Sequence, residues 1–262
     1  MAFQPVIPLS GLVGWKFLER THDRQTEAFN SSSDVVRDTD YFAGNIGDIN
    51  TAEELVSDRR LLRVALGAFG LQDDIDNKFF IRKVLEEGVI DTTSLANKMS
   101  DDRYHGLAEA FGFGDFDVPN TKMSTFPGEI VELYRARSFE VAVGEQDETL
   151  RFALNAKREL AEIANDSASD DTKWYTIMGN APLRQVFETA LGLPSSFAQL
   201  DLDQQLEVFR DKATAQFGDG EVSQFSTDAA VESLVQRYLV RAQIADIQTI
   251  SSGSIALTLL QS

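Results

Sequence analysis

The chain has 262 residues, 43% hydrophobic and 25% charged, a balance that fills a globular core and excludes a wholly disordered protein. It has no cysteine and two histidines, His22 and His105, which excludes disulfides, thiolate nucleophiles, iron–sulfur clusters and a histidine-rich metal site. A formal net charge of −18 repels phosphates and anionic membranes, so nucleic acid is not an expected partner.

Helix signals dominate from the start. The opening "MAFQPVIPLSGLVGW" has no basic region or cleavage site of a secretory signal, which predicts a cytoplasmic protein or one that leaves without a cleaved leader. Ser10 can cap a helix to about Asn30, with Trp15, Leu18 and Phe29 on its apolar face and His22 in the same stripe. A second helix is expected over Asp34–Asn45. Thr51 and Glu54 have capping-box spacing for a short helix through Val56, and Asp58 caps the next, ending at Gly70. Asn77–Glu87 reads as a helix with Phe79, Phe80, Val84 and Leu85 apolar, stopped by Gly88, and Thr93 and Ser100 begin two more.

Residues Gly112–Gly128 hold Gly, Pro and Asn without helical period, and are the expected boundary between lobes at 1–118 and 119–262, unless the chain is one continuous domain. Helices are then expected over Gly128–Val143 and Asp147–Asn165, near Asp170–Met178, from Asn180 and Pro182 to Gly192, and from Asp201 to about Phe217. Thr227 opens the last, with the stripe Val231, Leu234, Val235, Tyr238, Leu239, Ala242 and Ala245; the final "SSGSIALTLLQS" is apolar without a clear fold. No segment has the period of a strand, so the expected class is all-α. No apolar run approaches the ~18 residues of a membrane span.

Three short stretches, "GAFGL" (Gly67–Leu71), "EAFGF" (Glu109–Phe113) and "TALGL" (Thr189–Leu193), share a glycine after the last apolar position of a helical stripe. None has the spacing of a nucleotide-binding glycine motif. They read as helix stops, in which glycine takes the left-handed conformation and the next apolar residue folds back on the last turn. The segments 58–88 and 180–217 both run helix, glycine stop, loop, helix, which suggests an imperfect internal helix-hairpin repeat.

Catalytic signatures are missing. "DDIDNK" invites a calcium loop, but counting from Asp74 the fifth position is Lys78 and the sixth Phe79, where an EF-hand needs a ligand and a glycine. His22 reads either as a general base or pH switch or as a half-buried histidine with one hydrogen-bond partner, and His105 sits on the wet side of its helix. Trp174 and Tyr175 in "KWYTIMGN" could line a small-ligand pocket with His105 or serve as core anchors. No metal or cofactor is expected. The terminal amphipathic segments could pair with each other, with another subunit, or close the protein's own core.

Several blocks resemble a known family: "GLVGWKFLERTHDRQTEAF", "DTDYFAGNI", "DRRLLRVALGAFGLQDDIDNKFFIRKVLEEG", "LANKMSDDRYHGLAEAFGFG", "PLRQVFETALGLP" and "SSGSIALTLLQS". They are similar to a bacterial domain family of unknown function, number 1217, found mainly in alphaproteobacteria and often encoded among flagellar genes. The resemblance implies no activity, cofactor or catalytic residue. It implies a protein–protein role in flagellar assembly or structure, and the chain is compatible with signal-less type III export. The expectation is a non-enzymatic protein with a protein partner, a flagellar component or a second copy, touched by Leu239, Ile244, Ile247, Ile255, Leu257 and Leu260. An enzyme or small-ligand binder with a pocket between lobes, and an acidic chaperone-like cytoplasmic factor, are the alternatives.

Overall fold

The computed structural model describes the backbone of residues 3–260 and the side chains of residues 3–246 apart from Ser195. Thirteen α-helices and five short 3-10 helices, with no strand among the described residues, make the protein all-α. The chain forms two compact units. Unit 1 holds Met1–Val6 and Thr21–Val143; unit 2 holds Ile7–Arg20 and Gly144–Ser262. Helix α1 (Gly11–Asn30) thus gives its first half to unit 2 and its second half to unit 1.

Unit 1 contains α2 (Ser33–Asn45), α3 (Ala52–Ser57), α4 (Arg59–Ala68), α5 (Lys78–Glu87), α6 (Leu95–Lys98), α7 (Asp102–Phe111) and most of α8 (Phe126–Gly144). Their starts follow local chemistry. The Thr51 hydroxyl accepts from the Glu54 amide at 3.2 Å while the Glu54 carboxylate accepts from the Thr51 amide, the full capping box. Asp58 caps α4 by accepting from the Arg60 and Leu61 amides at 2.9 and 3.1 Å, and its other oxygen accepts from the Tyr41 hydroxyl at 2.7 Å. Burial pushes the Asp58 carboxyl up, but the Tyr41 hydroxyl and the two amides outweigh it and hold it below its ordinary value. The stabilisation is therefore complete above the ordinary carboxylate pKa and disappears as pH falls through the depressed one. Asp58→Ala is expected to lose about 1–2 kcal/mol at pH 7. The gap between variant and parent should shrink as urea melts are repeated toward pH 3; a gap constant with pH would contradict the charged cap.

The helix stops also follow the expectation, in two forms. At Gly70 (φ +71°) the Leu71 amide donates to Leu66 O at 2.9 Å and the Gly70 amide to Gly67 O at 3.2 Å, a Schellman turn, and Leu71 is 1% exposed. Gly192 (φ +70°) repeats it, with Leu193 donating to Glu188 O at 2.9 Å and Gly192 to Thr189 O at 3.1 Å. Gly112 instead makes the single bond to Ala108 O, the simpler left-handed cap.

The core of unit 1 runs from Phe42 and Ile46 through Leu55, Leu61, Leu62 and Val64 to Ile81, Val84, Leu85, Leu107, Phe111, Phe126 and Ile130. On α5 the buried residues are Ile81, Val84 and Leu85, whereas Phe79, expected on the apolar face, is 72% exposed with Arg82 over its ring. Two positions before Ile81 on a 3.6-residue helix is nearly the opposite side.

The division between units falls at Val143/Gly144, not in Gly112–Gly128 as expected. That segment is pinned into unit 1. Thr121 donates to Ile49 O at 2.7 Å, Lys122 to Gly47 O at 2.8 Å and Asn120 to Ala110 O at 3.0 Å. Asp115 accepts from the Val89 and Ile90 amides, both at 2.9 Å. Helix α8 starts two residues before the expected Gly128, because Pro127 sits in the first turn, where an amide needs no partner. Its Phe126 and Ile130 belong to the unit 1 core.

Unit 2 contains α9 (Glu148–Asn165), α10 (Asp170–Gly179), α11 (Ala181–Leu191), α12 (Leu202–Phe217) and α13 (Asp228–Leu260). Its center is aromatic: Trp174 stacks on Phe209 at 5.5 Å and meets Phe187 edge-on at 5.4 Å, and Phe187 meets Phe225. The start of α1 is fastened to α13 by Glu232, which accepts from Trp15 Nε1 at 3.2 Å and from Lys16 Nζ at 2.5 Å. Both tryptophans of the chain lie in unit 2.

Candidate functional site

Helix α13 shows two faces. Val231, Leu234, Val235, Tyr238 and Leu239 are buried, the expected stripe. A second stripe, Ser233, Gln236, Arg237, Val240, Arg241 and Ile244, borders a groove of about 850 Å³ completed by Leu12 of α1 and by the end of α11 at Glu188, Thr189, Gly192 and Leu193. Val240 is 42% and Ile244 49% exposed, large apolar side chains facing water at the groove.

The groove is positively charged on an acidic chain. Arg237 Nε donates to Ala190 O at 2.9 Å, covering an end carbonyl of α11, and its other end reaches Gln216. Burial, and then the neighbouring Arg241 charge, hold the Arg237 guanidinium below its ordinary value. Arg241 makes no hydrogen bond or ion pair with the described residues. Glu188 is engaged by Arg184 at 2.7 Å. The arrangement offers apolar contact and a cation without a counter-charge.

Of the expected contact residues, Ile244 lies in this groove. Leu239 is 0% exposed in the core of unit 2, so a partner cannot touch it while the unit is folded. Adjacent positions on a helix point about 100° apart, which is why Val240 is available where Leu239 is not. The side chains of Ile247, Ile255, Leu257 and Leu260 lie outside the described residues. Val240, Arg241 and Leu193 were missed because a search for the strongest apolar stripe selects the core face; the signal that could have found them was a second, mixed stripe at the same helical spacing.

Trp174 is a core anchor: it is 0% exposed and its Nε1 donates to Gly220 O at 3.0 Å. Tyr175, the next residue, points to the surface, where its hydroxyl donates to Asp203 at 2.9 Å. His105 belongs to unit 1, on the wet side of α7 with Glu109 3.9 Å away. Trp174 and Tyr175 therefore face different surroundings and share no described cavity.

His22 stands edge-on to Phe139 at 5.6 Å, and its Nδ1 lies 3.2 Å from the fully exposed Asp23 carboxylate. It borders an open cleft of unit 1, about 640 Å³, with Thr26, Asn30 and Arg135. Thr26 Oγ1, Asn30 Oδ1 and Arg135 Nε are buried there without a hydrogen-bond partner among the described residues. In the "DDIDNK" segment Asp74 is occupied by Tyr104 and Asn77, and among the described residues no three carboxylate or imidazole groups are grouped as metal ligands.

A family model described as a protein of unknown function, DUF1217, matches residues 68–231. A crystal structure of a protein from Agrobacterium tumefaciens, a structural-genomics target, is similar over 92% of this chain and 99% of its own, with 25% identity and a TM-score of 0.73. No curated protein matches the chain. No helix among the described residues is long and apolar enough to cross a membrane.

Proposed function

The chain belongs to the DUF1217 family, and on that premise we propose that it is a non-enzymatic protein acting by protein–protein contact in flagellar assembly or structure, through the α11–α13 groove of unit 2. The observation that carries the contact reading is the placement of exposed Val240 and Ile244 beside an unpaired Arg241. Large apolar side chains rimmed by charge mark interaction surfaces. The flagellar part rests on the gene neighbourhood of the family, an association rather than a contact.

Two measurements test the two parts. A photo-crosslinking residue at Ile244, in cells with a complete flagellar operon, should yield a discrete adduct whose partner is a flagellar component. The same residue at Leu239, inside the core, should yield none. An Ile244 adduct absent in living cells would overturn the contact reading. For the flagellar part, the protein is followed in cytoplasm, supernatant and basal bodies, with and without a working export ATPase. Signal outside the cytoplasm or in basal bodies that disappears without the ATPase is expected. Signal confined to the cytoplasm in both strains, with only non-flagellar adducts, would remove it.

A further inference from the structure

The two units repeat a local plan. In unit 1, α4 ends in the Schellman turn at Gly70, a 3-10 helix at Gln72–Asp74 follows, and then α5. In unit 2, α11 ends in the Schellman turn at Gly192, a 3-10 helix at Ser195–Gln199 follows, and then α12. The last long helix of each unit matches as well. Tyr134 and Arg137 on α8 have the spacing of Tyr238 and Arg241 on α13, and both tyrosines are buried. The arginine stands over the stop glycine each time: a methyl on Gly70 would lie 3.3 Å from Arg137 Nη1, and one on Gly192 would collide with Arg241 Nη1.

Between the repeated elements the units differ. Residues 88–125 separate α5 from α8 and build α6 and α7, whereas α12 and α13 are joined by residues 218–227 with one 3-10 helix, Val222–Phe225. In unit 1, α7 covers the stop. Arg103 donates to Gly70 O at 2.5 Å, Tyr104 donates to Asp74 at 2.7 Å, and the Asp101 carboxylate neutralises Arg103 at 2.7 Å. Leu71 is shut into the core. In unit 2 no helix takes that place among the described residues. Gly192 is exposed, Leu193 is half-buried, and both line the groove.

We propose that the groove of unit 2 is the counterpart of the seat that α7 fills in unit 1, and that it receives a helix from a partner protein, apolar on one face with carboxylates beside it. The apolar face would meet Leu193, Val240 and Ile244. The carboxylates would meet Arg241, which makes no hydrogen bond or ion pair with the described residues, and the rim of Arg237. This inference rests on the contact reading and names the chemistry of the partner.

The probe is a fluorescein-labelled peptide of residues 99–113, the α7 segment, titrated with the full chain and followed by anisotropy. A saturable rise is expected. It should weaken about tenfold in Arg241→Glu and in Ile244→Asp, and weaken as salt is raised from about 0.05 M to about 0.5 M. Arg241→Gln, a milder change at an unpaired side chain, should give an intermediate loss with an unchanged melting temperature. A peptide with Asp101, Asp102 and Glu109 replaced by their amides should bind more weakly. Absence of a saturable rise, or a rise indifferent to Arg241→Glu, would overturn the proposal. So would a groove occupied by a second copy, seen as dimerisation that Ile244→Asp abolishes. No peptide binding alongside a persistent Ile244 adduct would sink the helix inference and leave the contact reading standing; loss of the adduct would sink the reading beneath it.

Discussion

Trp174→Ala is expected to destabilise unit 2 by about 3–5 kcal/mol, the range for deleting a large aromatic from a packed core. Trp174 is 0% exposed and touches rings on two other helices, Phe187 on α11 and Phe209 on α12. Its removal leaves a void among three elements that cannot collapse together without moving Phe225, which also packs on Phe187. It also leaves Gly220 O without its donor. Trp174→Phe keeps most of the ring contact and should lose roughly 1–2 kcal/mol. Trp15, also in unit 2, remains as the fluorescent reporter in both variants. An unfolding free energy from urea melts, followed by Trp15 emission, that falls by less than about 1 kcal/mol in Trp174→Ala would show that the aromatic center does not hold the unit together.

Gly114→Ala is expected to be the most damaging single-methyl change in unit 1. The added carbon would run into Glu86 O and Gly88 N, which are backbone atoms at the end of α5 and cannot rotate away as a side chain would. The loop must lift, and lifting it withdraws the Asp115 carboxylate from the Val89 and Ile90 amides. A loss of about 1–3 kcal/mol is expected. Hydrogen exchange gives the local readout: the amides of Val89 and Ile90 should lose protection while residues 170–225 keep theirs. Gly128→Ala is the control. A methyl there meets nothing within 4 Å, so it should be neutral or stabilise α8 slightly. Equal behaviour of the two variants would refute the close-approach account.

What was readable from the sequence was what is chemically local. Thr51, Asp58, Asn180 and Asp201 each cap the helix expected of them, because a short oxygen-bearing side chain beside free amides needs no distant partner. The stops at Gly70, Gly112 and Gly192 were readable for the same reason. Non-local packing was not. The glycine- and proline-bearing segment at 112–128 looked like a linker, yet Thr121, Lys122 and Asp115 fasten it to residues far away in sequence. The "FGFGDF" pair of glycines has two separate causes, a left-handed cap at Gly112 and a close backbone approach at Gly114, and only the first leaves a pattern. At the groove, Ile244 was found by its hydrophobicity. Arg241 carries no signal of its own, since its significance is the lack of a counter-charge in three dimensions.

The sharing of α1 between the units sets an order of events during synthesis. Thr21–Val143 is one uninterrupted stretch, so unit 1 has nearly all of its parts once residue 143 has left the ribosome. Unit 2 begins earlier in the chain but finishes later: Trp15 must wait for Glu232, 217 positions downstream. At about 5–20 residues per second that interval is roughly 10–40 s. Throughout it, the first half of α1 emerges as a nascent amphipathic segment whose own core has not yet been translated, and a chaperone or targeting factor that recognises such a segment has that window in which to act.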